Sequence, residues 1–362
     1  MVGRASERAV RPALRAGLAC LWRDESTVQL GVDPQRAVVL GGLDPARTRL
    51  LDALNGTRDR ASLVRLASSW GLGAGDVDEL LSLLGEHDLL ETGPLIGDGR
   101  ALSYDERARL APDLASLSLV RGGGPGSALQ RRRGAWVDVR GGGRVGAGVA
   151  SLLGAAGVGR VTVTDHALVT EADLSPLGAS VGQIGERRGA AAMSRLATIA
   201  PSTVTTPGIT APDVTVLAPD HGPDATLSAE WLRERGPHLL AYVRETTGVV
   251  GPFVLPGRSA CLRCVELHRT DRDSAWPRLA LQLARPGLAV RACDVSLATH
   301  VAAQAALHVL AYLEGDEPPS VDASIESALP DALPRRRRWQ LHPTCACHWP
   351  DALHRAPASD RR

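Results

Sequence analysis

A glycine-rich turn restricts the fold of this chain more than any other segment does. Within Val137–Gly146, residues Gly141, Gly143 and Gly146 fit the pattern G-x-G-x-x-G between an apolar run and a stretch of small residues. Glycine allows a sharp turn and close backbone approach, and the helix that follows offers free N–H groups to a phosphate. The next apolar run ends at Asp165, where a carboxylate would meet a ribose hydroxyl. Tight turns without a ligand share this pattern, so the segment predicts a nucleotide-binding fold and leaves nucleotide binding itself open.

Residues 134–362 alternate between runs typical of buried strands and runs typical of helices. Strands that alternate with helices predict a parallel sheet with helices on its faces, an α/β fold of the Rossmann-like type. The predicted strands are Ala135–Val139, Val161–Thr164, Val214–Ala218 and Leu239–Val243. The predicted helices are Val145–Ala156, Glu186–Ile199, one around Trp231, and Val295–Leu313.

Residues 1–95 predict a separate, small α+β domain. Two β-like runs, Thr27–Leu30 and Ala37–Leu40, follow a segment that fits a helix or a strand. Three helices come next, and Asp44 is suited to cap the first of them. The helices are predicted to end near Leu54, Trp70 and His87, and a closing strand follows. This order of elements is similar to a winged-helix domain.

Length and composition set the domain count and exclude several kinds of chemistry. A chain of 362 residues favours two domains, and the glycine-rich stretch 122–126 places a linker at residues 96–133. The sequence contains no lysine, which excludes a Schiff base and a Walker A lysine. A net charge of +1 and few aromatic residues argue against a nucleic-acid partner. The polar start and the lack of a long apolar run predict no membrane span and a cytoplasmic location.

Four of the six cysteines form two close pairs, Cys261 with Cys264 and Cys345 with Cys347. Thiolates three residues apart on a tight turn reach one zinc ion easily, and a tetrahedral ion needs four ligands. In a cytoplasmic chain, such pairs favour a metal over disulfides. Buried free thiols or a redox pair are the alternatives, and His342 or His348 could replace one cysteine. We expect a structural zinc site with no open catalytic position.

Taken together, the segment Gly141–Leu174 and the cysteine pairs resemble the ThiF/MoeB family, relatives of ubiquitin-activating enzymes. The run Ala156-Gly157-Val158-Gly159 and Asp165 match the family pattern directly. The resemblance implies a nucleotide fold closed by a tetrathiolate zinc site, although the second pair is CxC where the family usually has CxxC. It also implies that the glycine turn holds phosphates and that Asp165 holds the ribose.

The resemblance assigns two further residues and shows one departure. Arg188 occupies the place of a family lysine that contacts the triphosphate, and Asp220 is the best candidate to orient magnesium. The family arginine that follows the Asn-Leu pair is missing, because the segment here reads Asp173-Leu174-Ser175-Pro176. A guanidinium is a planar fork and an ammonium a point charge, so the exchange at Arg188 also changes the geometry. The missing cation distinguishes the two functional hypotheses that follow, a scaffold and an adenylyltransferase.

A second resemblance supplies the leading hypothesis. A winged-helix-like unit fused to a degenerate ThiF-like domain is similar to the leader-peptide-binding proteins of azole-forming peptide biosynthesis. This resemblance extends over Gly251-Pro252, the first cysteine pair and Trp276-Pro277. It implies that the N-terminal unit binds a precursor's leader peptide as an added strand, while the ThiF-like domain scaffolds a YcaO-type cyclodehydratase. A homodimer is expected by analogy only.

The alternative is an ATP-dependent adenylyltransferase that activates the C-terminus of a small protein or peptide. An NAD-dependent oxidoreductase fits less well, because no general acid–base constellation accompanies the glycine turn. A DNA-binding regulator fits least, because residues 1–95 contain no concentrated basic helix.

Overall fold

The computed structural model describes residues 11–91, 102–121, 125–220, 236–283 and 291–348. The chain divides into two compact units, Met1–Gln130 and Arg131–Arg362. Each unit has its own hydrophobic core.

The N-terminal unit contains two small sheets and helices that pack around buried leucines. Its strands are β1 (Ala13–Leu14), β2 (Cys20–Trp22), β3 (Val28–Leu30), β4 (Val38–Leu40) and β5 (Leu90–Glu91). Its first three helices are α1 (Pro45–Asp52), α2 (Arg60–Ser68) and α3 (Ala74–Glu86). β1 pairs with β5, and β2, β3 and β4 form an antiparallel sheet in that order. The segment around residues 11–22, for which the sequence allowed a helix or a strand, forms two short strands.

Local sequence explains where these helices begin. The Asp44 side chain accepts a hydrogen bond from the Arg47 N–H over 2.7 Å, and Pro45 is the first helical residue. Asp59 caps α2 in the same way, over 2.8 Å to the Ser62 N–H. The expectation that Asp44 opens the first helix is confirmed.

The segment 96–133, expected to be a linker, differs from that expectation. Its described part contains helices α4 (Tyr104–Val120) and α5 (Pro125–Gly134). Leu110, Leu114 and Leu117 recur at helical spacing and form the buried stripe of α4. The glycine-rich stretch and Pro112 obscured this pattern in the sequence.

The C-terminal unit is built on a seven-stranded mixed sheet. Its strands are β6 (Trp136–Arg140), β7 (Arg160–Thr164), β8 (Val214–Leu217), β9 (His238–Arg244), β10 (Thr247–Val254), β11 (Ala323–Ala328) and β12 (Pro334–Arg338). Their spatial order is β12-β11-β10-β9-β8-β6-β7. The strands β7, β6, β8 and β9 are adjacent and parallel. Each of β10, β11 and β12 pairs antiparallel with the strand before it.

Helices cover both faces of this sheet. They are α6 (Arg144–Ala155), α7 (Arg188–Ile199), α8 (Leu262–Arg272), α9 (Trp276–Leu283) and α10 (Val295–Leu313). The core on one face joins β6 and β8 to α6, α7 and α10. A second core, on the opposite side of β9 and β10, joins the sheet to α8 and the cysteine pairs. The predicted α/β fold is confirmed, whereas the helix expected around Trp231 lies outside the described residues.

Helix α10 is 19 residues long and apolar enough to cross a membrane by length and composition. Half of the apolar window is buried within the fold. Val301, Ala302, Ala305 and Val309 pack in the core beside α6 and the sheet. This burial explains the apolar composition of α10 as that of a core helix.

Candidate nucleotide and metal sites

The glycine turn is packed so tightly that two of its positions exclude any side chain. Gly141 has a φ of +110°, and a Cβ atom there would lie 2.1 Å from the Ala218 carbonyl oxygen. A Cβ atom on Gly146 would lie 1.8 Å from the Gly141 carbonyl oxygen. The backbone of the turn therefore lies against the end of β8, which only glycine permits.

The turn lies where the chain direction across the sheet reverses. From β6 the chain passes through α6 to β7 on one side, whereas β8, on the other side of β6, leads on to β9. In open α/β sheets, ligands bind at such a point, beyond the carboxyl ends of the strands. Gly143 caps α6 without a side-chain hydrogen bond, so the first N–H groups of the helix have no side-chain cap. These uncapped N–H groups are suited to bind a phosphate group.

Asp165 contacts the turn directly. Its Oδ2 accepts a hydrogen bond from the Gly142 N–H over 2.7 Å, and its Oδ1 accepts one from the Ala167 N–H over 2.9 Å. The carboxylate thus stabilises the turn from the end of β7. Its predicted contact with a ribose remains a prediction.

Arg188, the first residue of α7, binds the carboxylates around the turn. Its guanidinium donates to Asp220 over 2.6 Å and lies 2.7 Å from Asp173. Asp165 lies 3.8 Å away. Burial lowers the pKa of Arg188, but the hydrogen bond to Asp220 and the charges of the three carboxylates outweigh burial and raise it above its ordinary value. The arginine therefore stays charged.

Asp173 is a site residue that we did not single out from the sequence. It is buried, and its second oxygen accepts hydrogen bonds from the Thr170 backbone and hydroxyl, each over 2.8 Å. A signal was present, because Asp173 stands where the resembling family has asparagine before Leu174. With Asp165 and Asp220 it gives three carboxylates around one guanidinium. The site therefore carries an excess of negative charge, which disfavours a phosphate group without a cation beside it.

The four predicted cysteines converge, and their sulfur atoms all lie within 4.8 Å of one another. Cys261 Sγ lies 3.8 Å from Cys264 Sγ and 3.6 Å from Cys345 Sγ, and Cys264 Sγ lies 3.4 Å from Cys347 Sγ. Zinc–sulfur bonds of ~2.3 Å in a tetrahedron separate the sulfurs by about 3.8 Å. Hydrogen bonds from Cys261 and Cys347 lower the pKa of the Cys264 thiol. The donor set fits a four-coordinate zinc ion.

The two histidines considered as substitute ligands are not part of this cluster. The ring of His342 faces Asp271, over 2.8 Å, and its Nδ1 accepts from the Thr344 N–H over 3.2 Å. The His342 backbone N–H donates to Cys264 Sγ over 3.3 Å, a contact that supports a thiolate. Among the described residues, the group of converging sulfurs includes neither His342 nor His348.

Comparison with known proteins adds a family and a set of similar structures. Residues 125–345, more than half of the chain, match the model of the ThiF family. No curated protein matches the chain.

Among solved structures, MccB of E. coli bound to ATP superposes with a TM-score of 0.68 at 15% identity, covering 93% of this chain and 99% of that one. MccB of E. coli with MccA-N7isoASN superposes with a TM-score of 0.67 at 14% identity, and the coverage of both chains is the same. PaaA superposes with a TM-score of 0.64 at 16% identity, covering 90% of this chain and 99% of that one. A further similar structure is described as the microcin C7 biosynthetic enzyme MccB in complex with N-formylated MccA. At these identities the likeness establishes the shared fold.

Proposed function

The chain belongs to the ThiF family, and from that premise we propose that it uses ATP to activate a carboxyl group of a precursor peptide in the cytoplasm. The observation that carries the proposal is the glycine turn at the reversal point of the sheet, which packs against the end of β8 and leaves the first N–H groups of α6 without a side-chain cap. The similar MccB structures with ATP and with MccA support a nucleotide and a peptide as ligands.

In the proposed reaction, the peptide carboxylate attacks the α-phosphorus of ATP. The bond from that phosphorus to the oxygen shared with the β-phosphate breaks, and pyrophosphate leaves with the electron pair. The role of the protein is to stabilise the leaving charge. We assign that role to the N–H groups at the start of α6 and to Arg188, with Asp220 holding a magnesium ion and Asp165 the ribose.

We assign zinc a structural role. Cys261, Cys264, Cys345 and Cys347 would supply all four ligands, so no coordination position is left for substrate. The metal would hold the segment after β12 to the start of α8.

The N-terminal unit is proposed to bind the leader of the precursor. Its three-stranded sheet has two outer strands, β2 and β4, where an extended peptide can add main chain to main chain. Leu21, Trp22 and Val39 on these strands are each a little under half exposed although they are large and apolar. Apolar residues left exposed at a sheet edge are suited to contact the side chains of an added strand.

A second candidate function, a scaffold that presents the peptide to a YcaO-type cyclodehydratase, is favoured by one observation. The phosphate-binding arginine of the resembling family is missing from the segment Asp173–Leu177, and Arg188 is already bound by carboxylates. On this hypothesis, the partner enzyme uses the ATP. Copurification with the YcaO-type enzyme, and sedimentation to test for a homodimer, examine this candidate.

The deciding experiment is ATP–pyrophosphate exchange on the purified, zinc-loaded chain with short peptides encoded beside its gene. Peptide-dependent exchange that Arg188→Ala abolishes, and that the exposed control Arg107→Ala retains, supports adenylation. Leader binding that Trp22→Ala weakens, without exchange and without ATP binding up to millimolar concentration, supports the scaffold.

A further inference from the structure

We propose that β12 is a second docking edge, which adds an acidic, extended peptide segment as an eighth strand of the large sheet. The inference deepens the proposed function and rests on it for the existence of a peptide partner. It concerns a surface in the C-terminal unit, separate from the sheet assigned to the leader.

The first observation is that β12 is an open edge. It pairs with β11 on one side, and in the part of the chain that the structure describes no strand pairs with its other side. The Trp339 N–H, just after β12, donates to the Asp322 carbonyl over 2.8 Å. Because such bonds alternate along an antiparallel pair, the N–H and C=O groups of Arg336 and Arg338 face outward. Pro334 falls on an outward position too, where its lack of an N–H breaks no bond within the sheet.

The second observation is the charge of this edge. β12 reads Pro-Arg-Arg-Arg-Arg, and most of the strand is exposed. Within the described ranges, the one ion pair of these arginines joins Arg337 to Glu326 over 3.7 Å. The Arg336 guanidinium donates to the backbone carbonyls of Pro319 and Val321, which carry no charge. Among the described residues, therefore, only one of the four guanidinium groups is paired with a carboxylate.

The two observations together define the occupant. The outward backbone groups can form hydrogen bonds with a strand of any sequence. Side chains of the added strand lie on both faces of the sheet in turn, each beside the β12 side chains on the same face. Arg335 and Arg337 lie on one face of the sheet, with Glu326, whereas Arg336 and Arg338 lie on the other. A peptide with acidic side chains on both faces therefore matches the edge, and a basic peptide is repelled. The arginines also prevent β12 from pairing with a second copy of itself, because like charges would then be adjacent.

The experiment measures binding of labelled eight-residue peptides to the full chain by fluorescence anisotropy. The probe repeats Glu-Glu-Val-Val, which places glutamates on both faces of an extended strand, and the first control repeats Lys-Lys-Val-Val. The second control has the acidic sequence with every other backbone nitrogen methylated, which keeps the charge and removes the donors on one edge. We expect the acidic peptide to bind at least about tenfold more tightly than either control, as two backbone hydrogen bonds and opposite cross-strand charges predict.

Protein variants locate the binding. Arg335→Glu with Arg338→Glu should weaken binding of the acidic peptide about tenfold. The matched control Arg49→Glu with Arg107→Glu makes the same charge change at exposed arginines of other helices, and it should leave binding unchanged. Equal binding of the methylated peptide, equal losses in both double variants, no binding up to millimolar peptide, or tighter binding of a DNA oligonucleotide to β12 would each overturn the inference.

The two proposals fail separately in this design. Pyrophosphate exchange without acidic-peptide binding overturns the β12 inference alone. Binding at β12 without exchange overturns adenylation and leaves the docking edge intact.

Discussion

Arg188 and Asp220 form an ion pair over 2.6 Å, and both residues border the glycine turn. A Cβ atom on Gly143 would lie 2.5 Å from Asp220 Oδ1, and one on Gly142 would lie 3.0 Å from the Arg188 carbonyl carbon. A phosphate that binds the turn must therefore compete with Asp220 for the guanidinium. A magnesium ion held by Asp220 would remove that competition.

This competition gives the first prediction. Asp220→Asn should raise the affinity for magnesium-free ATP about tenfold, because a carboxylate that repels phosphate and binds Arg188 is gone. The same variant should lose the gain in affinity that magnesium gives the wild type. Titration calorimetry with magnesium and with EDTA measures both effects. Asp33→Asn, an exposed control in the N-terminal unit, should behave as the wild type, and an unchanged magnesium response in Asp220→Asn would refute the role of Asp220.

The glycine turn gives a second prediction, about stability. Gly146→Ala should destabilise the C-terminal unit by roughly 3 kcal/mol or more, because the new methyl group would lie 1.8 Å from a backbone oxygen in the wild-type geometry. Gly75→Ala is the matched control, since Gly75 also lies in the first turn of a helix but has no atom within 4 Å of the position that a methyl group would take. That change should stabilise the N-terminal unit by up to about 1 kcal/mol. Scanning calorimetry measures both, and similar small effects at the two sites would contradict the close approach.

The metal site gives a third prediction. The purified chain should contain one zinc ion, and Cys264→Ser should remove it and lower the unfolding temperature of the C-terminal unit. Cys20→Ser and Cys293→Ser, outside the cluster, should keep full zinc content. Elemental analysis with thermal unfolding checks the prediction. Full zinc content in Cys264→Ser would exclude the proposed ligand set.

A buried histidine gives a fourth prediction, about pH. Burial lowers the pKa of His308 to about 4, and its Nδ1 lies 2.8 Å from the Ser320 hydroxyl. The unfolded chain binds the proton near pH 6.5, so the contribution of this residue to stability is complete above that pH and is lost as the pH falls toward 4. The free energy of unfolding should fall by up to about 3 kcal/mol on this account.

Substitution tests the assignment of that pH dependence. His308→Gln should reduce the loss of stability between pH 7 and pH 5 in denaturant titrations, since glutamine takes up no proton. Burial also lowers the pKa of His238 to about 4, so His238 should account for a further part of the stability lost at low pH. His166→Gln, at an exposed position, should leave the pH dependence unchanged. An unaltered slope in His308→Gln would show that this histidine is not buried in its neutral form.

The parts of the fold that short-range sequence determines were predictable. The helix predicted at Val295–Leu313 has those bounds in the structure, because Asp294 caps it and its apolar residues are nearly continuous. The convergence of the four cysteines was predictable as well, since each close pair is a local signal and a tetrahedral zinc ion needs four ligands. The helix over Tyr104–Val120 was not recognised, because Pro112 lies within it and a glycine-rich stretch follows its end.

The contacts of Arg188 could not be read from periodicity. Its three carboxylate partners lie 15 to 32 residues away in the sequence and follow different elements, so only the tertiary fold brings them together. The outward direction of the Arg336 and Arg338 backbone groups could not be predicted from the sequence either, because it depends on the register of β12 with β11. Both are tertiary properties, which local pattern does not encode.

The cysteine cluster has a mechanical consequence for the end of the sheet. The chain between Cys264 and Cys345 contains the last two strands, and the sulfurs close that stretch into a loop. An outer strand ordinarily frays from its free end. With a metal ion in the cluster, a pull on the C-terminus would load the metal–sulfur bonds before the hydrogen bonds of β12. The outer strand would then peel away only after the metal had been released.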